Sequence, residues 1–565
     1  MSTEEATGRV VSVFGDIVSV AVDEENLHEM GIRGKFLRIE TKKGRSLIGI
    51  VANLNLIDEL YRQSGGRLPL VKGYRDIALS RNEIIVSILG TITENGVDRK
   101  IDAIPSPGDE VFPIESDELQ KIFSSGDIRI GTLNTDPTVS VKLDLNELAT
   151  KHLAILAMTG SGKSNALAVL LTRMLANYEY PRILLIDTHS EYVGLAKEDS
   201  PVYDKTVVYA PTGKFKDILI SSGIKTAELE IPYWLLTMEE WYSLIGLDPR
   251  ATRQRRQLRA ALRDLKREFG SDNAHLDDPI YFPLDSLIDE LSGRRDTDEI
   301  LMKIEDSLEN EEFQFIFNPA NSLKLMKGEG LEAVFNYITK PIVDAGLKII
   351  AMGGLSSDIQ NAVVSMLLRS TFRFAIEAKL LGRPLPTIIA LEEAHIYAPS
   401  YYATAKQIVE RIAKEGRKFG IGLIVVSQRP RELSETVLAQ CGTLIALRTV
   451  NPSDQRHIER SMEDVTSMII SSLPGLGKGE SVISGPAIAL PCLVKVDLFD
   501  NVAEELGKRI GLGGKDINFK EEWQKEISKE DVSRIFSELY SGVEQKKHAF
   551  EESSKSSLEL FFGEE

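Results

Sequence analysis

Residues 153–165 read LAILAMTGSGKSN, and this stretch decides the fold. The apolar run Leu153 to Ala157 predicts a buried strand, a glycine-rich turn follows, and a helical pattern runs from Ser164 to Leu175. Strand, glycine-rich turn and helix in that order form a phosphate-binding loop. The backbone N–H groups of Gly160, Ser161, Gly162 and Lys163 are placed to cradle phosphate at a helix N-terminus. Lys163 is expected to reach the β and γ phosphates of ATP, and the Ser164 hydroxyl to bind Mg²⁺. Ala157 stands where the full pattern has its first glycine, a place that mainly needs a small residue.

Outward from this loop the grammar stays α/β. Apolar runs at Arg182 to Ile186, Lys348 to Met352, Thr387 to Leu391, Gly422 to Val426 and Thr443 to Leu447 alternate with helices, which predicts a largely parallel sheet. About 160 residues separate the first two of these runs, far more than an ordinary crossover. An insertion is expected there, at about 225–345. From Glu239 to Met326 it reads as mostly helical, with Leu258, Leu262, Leu265 and Phe269 marking one apolar stripe of a helical bundle. The same helix carries Arg253, Arg255, Arg256, Arg259, Arg263 and Lys266, read as a solvated face and given no chemistry.

The N-terminal region has a different texture. Val10 to Val22 holds two β-rich stretches around Gly15-Asp16, and Phe36 to Thr41 pairs with Ser46 to Ala52 across Lys42-Lys43-Gly44-Arg45. Ile84 to Ile92 precedes the turn Pro105-Ser106-Pro107-Gly108. Short strands at turn spacing predict a small barrel over residues 1–145, and the opening segment resembles the N-terminal barrel of rotary ATP synthase subunits. Residues 146–500 then form the ATPase core, and 501–565 a helical C-terminal extension ending in a flexible acidic tail.

Composition bounds what such a chain does. With 565 residues, two or more cores are expected, and 42% hydrophobic with 27% charged residues is ordinary globular usage. No apolar run has the roughly eighteen residues of a membrane span, and MSTEEATGR lacks the pattern of a signal peptide, so a soluble, cytoplasmic protein is expected. Cys441 and Cys492 form no CxxC pair and read as buried core thiols. A balance of 67 basic against 85 acidic residues, net −18, would repel nucleic acid if spread evenly, so any DNA contact must be local and shielded.

Further chemistry sits at strand ends. After Ile388-Ile389-Ala390-Leu391 come Glu392 and Glu393: by position, the first holds Mg²⁺ through water and the second polarises the attacking water as general base. Glu392 departs from the usual Asp, and His395 reads as a satisfied structural group. Asp187, His189 and Glu191, in DTHSEY, follow the strand Ile183 to Ile186 at the edge where open α/β folds bind ligands. Metal or water positioning is one reading of them, and a zinc site the alternative. Gln428 closes the strand IGLIVVSQRP, where a polar side chain senses the γ-phosphate. Arg417, in EGRKFG before that strand, is either an arginine finger reaching across a subunit boundary or a surface arginine, and Arg448 is a further candidate.

Taken together, AMTGSGKSN, DTHSEY, LEEAH, EGRKFG with IVVSQRP, and ALRTVNPSDQ closely resemble the archaeal HerA family of hexameric ATPases, related to the FtsK DNA pumps, over about residues 8–500. The resemblance implies a RecA-like P-loop ATPase core and an ATP-driven homohexamer on double-stranded DNA, partnered by the nuclease NurA in end resection for recombinational repair. It implies that the barrel docks the nuclease and that ATP sits between subunits. By the motif match Lys163 is the phosphate lysine, Glu393 the catalytic glutamate, Arg417 the trans-acting finger and Gln428 the sensor. Thr159 and Asn165 fall within the nucleotide-binding motif, and Lys151 is the nearest match to a basic residue the family uses before the P-loop strand. A ring also reconciles DNA with the net charge, since six copies of a few basic side chains concentrate the field in a channel.

The C-terminal KSSLELFF, with Leu558, Phe561 and Phe562, resembles the sliding-clamp motif QxxLxxFF. The segment either binds a clamp as one helical turn or packs back as a brace of the ring. Three other readings of the whole chain are a protein-secretion or conjugation ATPase, a rotary synthase subunit and a nucleotide-switched clamp. The absence of an apolar span disfavours the first, and DTHSEY and LEEAH fit the second poorly.

Overall fold

A computed structural model of the chain describes residues 6–58, 80–93, 96–461 and 470–505. The N-terminal barrel is built from β1 (Gly8–Phe14), β2 (Ile17–Val22), β3 (Phe36–Glu40), β4 (Ser46–Asp58), β5 (Ser80–Thr93), β6 (Gly96–Asp98) and β7 (Glu110–Pro113). Strand order is β2-β1-β7-β3-β4-β5, and β5 pairs back onto β2, so six strands close the barrel while β6 extends β5. Alternation drives it: Val18, Val20 and Val22 point into the core and their neighbours on β2 do not. Gly15, at φ +62, supplies the left-handed residue of the two-residue β1–β2 turn.

The second sheet has twelve strands: β8 (Ile128–Leu133), β9 (Ser140–Leu143), β10 (Leu153–Leu156), β11 (Arg182–Asp187), β12 (Thr206–Pro211), β13 (Thr226–Leu229), β14 (Gly346–Ala351), β15 (Thr387–Leu391), β16 (Ile421–Ser427), β17 (Thr443–Leu447), β18 (Glu480–Ser484) and β19 (Cys492–Val496). Their order is β13-β12-β14-β11-β15-β16-β10-β17-β18-β19-β8-β9. From β13 to β17 all pairs are parallel; the last four strands join antiparallel. Every residue of β10, β14, β16 and β17 is buried. Parallel strands covered on both faces read as continuous apolar runs, which is why they are legible in sequence.

Four expectations need correction. The hairpin β8–β9, assigned with the barrel by the boundary at 145, pairs through β8 onto β19 of the large sheet. Gly131 permits this, because a Cβ there would lie 2.1 Å from the Lys495 carbonyl oxygen. The helical insertion was set at 225–345, but β13 occupies Thr226–Leu229, and β12 precedes it unforeseen. Ala-Glu-Leu favours helix locally, and hydrogen bonding to β12 overrides it. On the long helix Thr252–Phe269, Leu258, Leu262 and Leu265 are buried, whereas Phe269 is 43% exposed. Lys266, counted with the solvated face, is buried and its ammonium donates to the Leu276 and Asp278 carbonyls.

Helices from Met238–Leu244 to Leu331–Ile338 make up the insertion, around the buried aromatics Tyr233, Trp234, Trp241 and Phe282. The buried Glu240 carboxylate ties it to the helix Ser357–Leu380, accepting from Ser365 Oγ at 2.9 Å and Arg369 Nη2 at 2.9 Å. Cys441 and Cys492 are free and buried. Among the described residues no helix is long and apolar enough to cross a membrane. The last described helix is Phe499–Glu505, so Leu558, Phe561, Phe562 and most of the C-terminal extension lie outside the described residues.

Candidate nucleotide site

The phosphate-binding loop bridges β10 and the helix Lys163–Asn177 at the C-terminal edge of the parallel strands. Gly160 and Gly162 take φ +78 and +108, angles that a side chain would strain, and so turn the loop tightly enough to aim its amides inward. The first-turn amides of Lys163, Ser164 and Asn165 have no acceptor within the helix, which leaves an anion cradle.

Strand order decides what surrounds the loop. Because β16 lies between β10 and β15, Gln428 at its end stands between the loop and the two glutamates. Its amide donates to Glu393 Oε1 and accepts from the Thr159 hydroxyl. The Lys163 ammonium donates to Glu393 Oε1 and stands 3.4 Å from Glu392 Oε1. Glu392 is wholly buried, and its Oε2 accepts the Thr188 amide at 3.1 Å. Glu393 has φ +48, a sparsely populated angle for a residue with a Cβ.

Burial and charge push the adjacent carboxyls apart. At Glu392 burial dominates and raises the pKa, with Lys163 opposing it. At Glu393 burial also pulls upward, but the charge and hydrogen bond of Lys163, with Gln428 and His395, outweigh it and set the pKa below the usual carboxylate range. The Lys163 ammonium thus favours the ionised form of Glu393 more than that of Glu392.

Asp187 and Glu191 separate in role. Both Asp187 oxygens accept backbone amides, of Glu191 and Tyr192, each at 2.9 Å, so Asp187 shapes its own loop. Glu191 Oε2 instead accepts the Ser164 hydroxyl at 2.6 Å. The carboxylate touching Ser164 is thus Glu191, while Glu392 is occupied by Lys163 and Thr188. Asn165 uses its side-chain amide on the Asp497 carbonyl and the Phe499 amide, each at 2.8 Å, which leaves its backbone N–H for an anion. The His395 imidazole lies against Glu393 and Ser427 and lines a cavity of about 580 Å³ with Tyr401, Tyr402, Arg255 and Arg429.

Two basic residues lie elsewhere. Arg417, in the turn Gly416–Phe419, is exposed at the N-terminal end of β16 and makes no ion pair or hydrogen bond through its side chain to a described residue. Seven residues of β16 at ~3.3 Å each put it roughly 20 Å from its own phosphate loop. Lys151 is on the same edge, paired to Glu147 at 2.7 Å, and its helix Leu145–Lys151 packs against the Arg417 turn. Arg448 follows β17 beside the loop, and its carbonyl accepts the Met158 amide at 3.2 Å. No group of three or more His, Cys, Asp or Glu side chains able to hold a metal occurs among the described residues.

Residues 128–371 match the family model described as the Helicase HerA central domain, and residues 366–506 match the Helicase HerA-like C-terminal model. The match begins at the first residue of β8. The chain is 33% identical over 459 residues to the probable helicase MJ1565 of Methanocaldococcus jannaschii, covering 78% of this chain and 80% of that one. It is 30% identical over 534 residues to the DNA double-strand break repair helicase HerA of Pyrococcus furiosus, covering 87% and 92%. With HerA of Sulfurisphaera tokodaii it shares 32% identity over 446 residues, 76% and 79% of the two chains. VirB4 of Thermoanaerobacter pseudethanolicus is a distant structural likeness, with a TM-score of 0.43 and 18% identity over 66% of this chain and 96% of that chain.

Proposed function

The chain belongs to the HerA family of helicases, and on that premise we propose that it is an ATP-driven translocase on double-stranded DNA, working as a homohexamer with the nuclease NurA in end resection for recombinational repair. As a member of that family it is an ATP-hydrolysing helicase. The observation that carries the proposal is the convergence of Lys163, Ser164, Glu393 and Gln428, from the ends of β10, β15 and β16, on one phosphate cradle.

In this reading Lys163 neutralises the β and γ phosphates while Thr159, Ser161 and the cradle amides hold them. Glu393 takes a proton from water as the water oxygen attacks the γ-phosphorus. The bond from that phosphorus to the bridging oxygen breaks, leaving ADP and inorganic phosphate. Gln428 spans Thr159 and Glu393, so a shift at the γ-phosphate is felt at the base. The oxygen donors of Ser164 and Glu191 suit a hard cation, with Glu392 acting only through water. Bound there, Mg²⁺ would supply charge neutralisation to the phosphates.

Lys151 and Arg417 share the edge opposite their own cradle, and we assign them to a neighbouring subunit's nucleotide. The barrel serves as the docking face for NurA. Net charge of −18 is compatible with DNA if basic side chains of six subunits line a channel. ATP turnover with and without linear duplex DNA, alongside strand displacement, tests the whole. Duplex-stimulated turnover is expected, and turnover indifferent to duplex would overturn the translocase reading.

A further inference from the structure

Glu393 has two oxygens in unlike surroundings. Oε1 receives the Lys163 ammonium and the Gln428 amide. Oε2 is buried and meets no donor in good hydrogen-bond geometry among the described residues, yet the Nδ1 of His395 stands 3.3 Å away. The same Nδ1 is 3.2 Å from the Ser427 hydroxyl, which accepts the Arg429 amide at 3.0 Å. A carboxylate oxygen offers only lone pairs, so a neighbouring imidazole nitrogen attracts it only while carrying the proton. The Ser427 oxygen has a second lone pair for that proton. The tautomer protonated at Nδ1 therefore suits both neighbours, bonding Ser427 here with Glu393 Oε2 in reach, and leaves Nε2 as the acceptor.

Backbone bonds fix only where the Glu393 side chain starts. The Ala394 amide donates to Val426 O at 2.9 Å and the Ile396 amide to Glu393 O at 2.8 Å, which hold the residue at φ +48. Three side-chain torsions remain, and contacts at the carboxylate must set them. Of these contacts Lys163 is not constant, because an ammonium that moves onto phosphate weakens its hold on Glu393. Gln428 on Oε1 and His395 beside Oε2 are the partners that stay.

We propose that His395 is a positioning residue for ATP hydrolysis: its Nδ1–H, 3.3 Å from Glu393 Oε2, turns onto that oxygen when Lys163 engages nucleotide, so that Oε1 keeps its aim at the phosphate cradle. The proposal rests on Glu393 being the general base. His395 meets Glu393 and Ser427, neither of them in the phosphate loop, so its removal should affect the chemical step and leave binding alone.

The test uses the full chain with linear duplex DNA and three variants: His395→Leu, which removes the donor, His395→Asn, which keeps an N–H near the position of Nδ1, and Glu393→Gln as reference. Steady-state turnover gives kcat and KM for ATP, and a fluorescent ATP analogue gives nucleotide Kd. Misplacement of a reacting group by about 1 Å costs on the order of 10²-fold. His395→Leu should lower kcat by about 10- to 100-fold with KM and Kd within about twofold of wild type, and His395→Asn should recover most of the loss. Wild-type kcat in His395→Leu beside an inactive Glu393→Gln would overturn the proposal alone. So would an equal loss in His395→Asn, or loss of nucleotide affinity in step with kcat. Full turnover in Glu393→Gln would remove the base assignment and the proposal with it. If His395→Leu melts well below wild type, His395→Gln, whose amide reaches the place of Nε2 rather than Nδ1, is measured in its place and should lower kcat without changing Kd; wild-type kcat in that variant would overturn the proposal.

Discussion

Replacing Glu393 by Gln and Lys163 by Ala should stop turnover in both cases, with opposite effects on nucleotide binding. The Lys163 ammonium lies between two buried carboxylates, in contact with Glu393 and 3.4 Å from Glu392. Unit charges about 4 Å apart interact by about 4 kcal/mol at an effective dielectric near 20, so Glu393 competes with phosphate for the lysine. Glu393→Gln removes one competitor, and ATP affinity should hold or tighten. Without the base, kcat should fall by about 10²–10⁴, or roughly 3–5 kcal/mol of barrier. Lys163→Ala removes charge-assisted bonds worth about 1.5–3 kcal/mol each and leaves two unpaired carboxylates facing a triphosphate. Its Kd should rise by at least about tenfold. Fluorescent-nucleotide titration with steady-state turnover on linear duplex DNA reads both quantities. Equal affinity in the two variants, or weaker binding in Glu393→Gln, would refute the role assignment.

If Arg417 serves a neighbour's site, mixing inactive Arg417→Ala with inactive Lys163→Ala subunits should restore turnover through intact composite sites, since such a finger contributes about 10³–10⁵ in rate; no rescue in verified mixed rings would place the finger elsewhere. Removing the barrel up to residue 114 should spare basal ATPase activity and lose NurA capture, whereas a cut at 145 also strips β8–β9 from β19 and should lower the melting temperature. A chain lacking the barrel that still captures NurA would refute the docking role. Burial lowers the Lys266 pKa from 10.5 to about 8 in the folded chain. Between those values the unfolded chain binds more protons, so stability should rise with pH over pH 8–10.5, by on the order of 3 kcal/mol. Lys266→Met should flatten that slope in chemical denaturation, and an unchanged slope would show that other groups produce it.

The phosphate loop and the strands nearest it were legible because their physics is local. Two-sided burial writes β10, β15, β16 and β17 as apolar runs, and the loop's glycines and Lys163 must be contiguous to cradle phosphate. The barrel's alternation and its tight turns were legible for the same reason, as were the two lone cysteines as core thiols. Local signals misled where distant pairing overrode them. The Ala-Glu-Leu of β13 favours helix until β12 supplies hydrogen bonds, and nothing near residues 128–143 reveals that their partner is β19, some 350 residues on. Lys266 lies on a basic helix face, yet carbonyls from a following loop draw it inside.

The site divides in the same way. Residue types at strand ends suggest a phosphate cradle, a base and a sensor, but which side chains meet depends on strand order, and strand order is a long-range property. Only with β16 between β10 and β15 does Gln428 link Thr159 to Glu393. Tertiary packing also put Glu191, rather than Glu392, on Ser164, turned Asp187 to its own loop, and set His395 against Glu393. Motif spacing thus determined the kind of chemistry, and the pairing of distant strands decided which atoms meet, because side-chain contacts follow from the positions of backbones that are far apart in the chain.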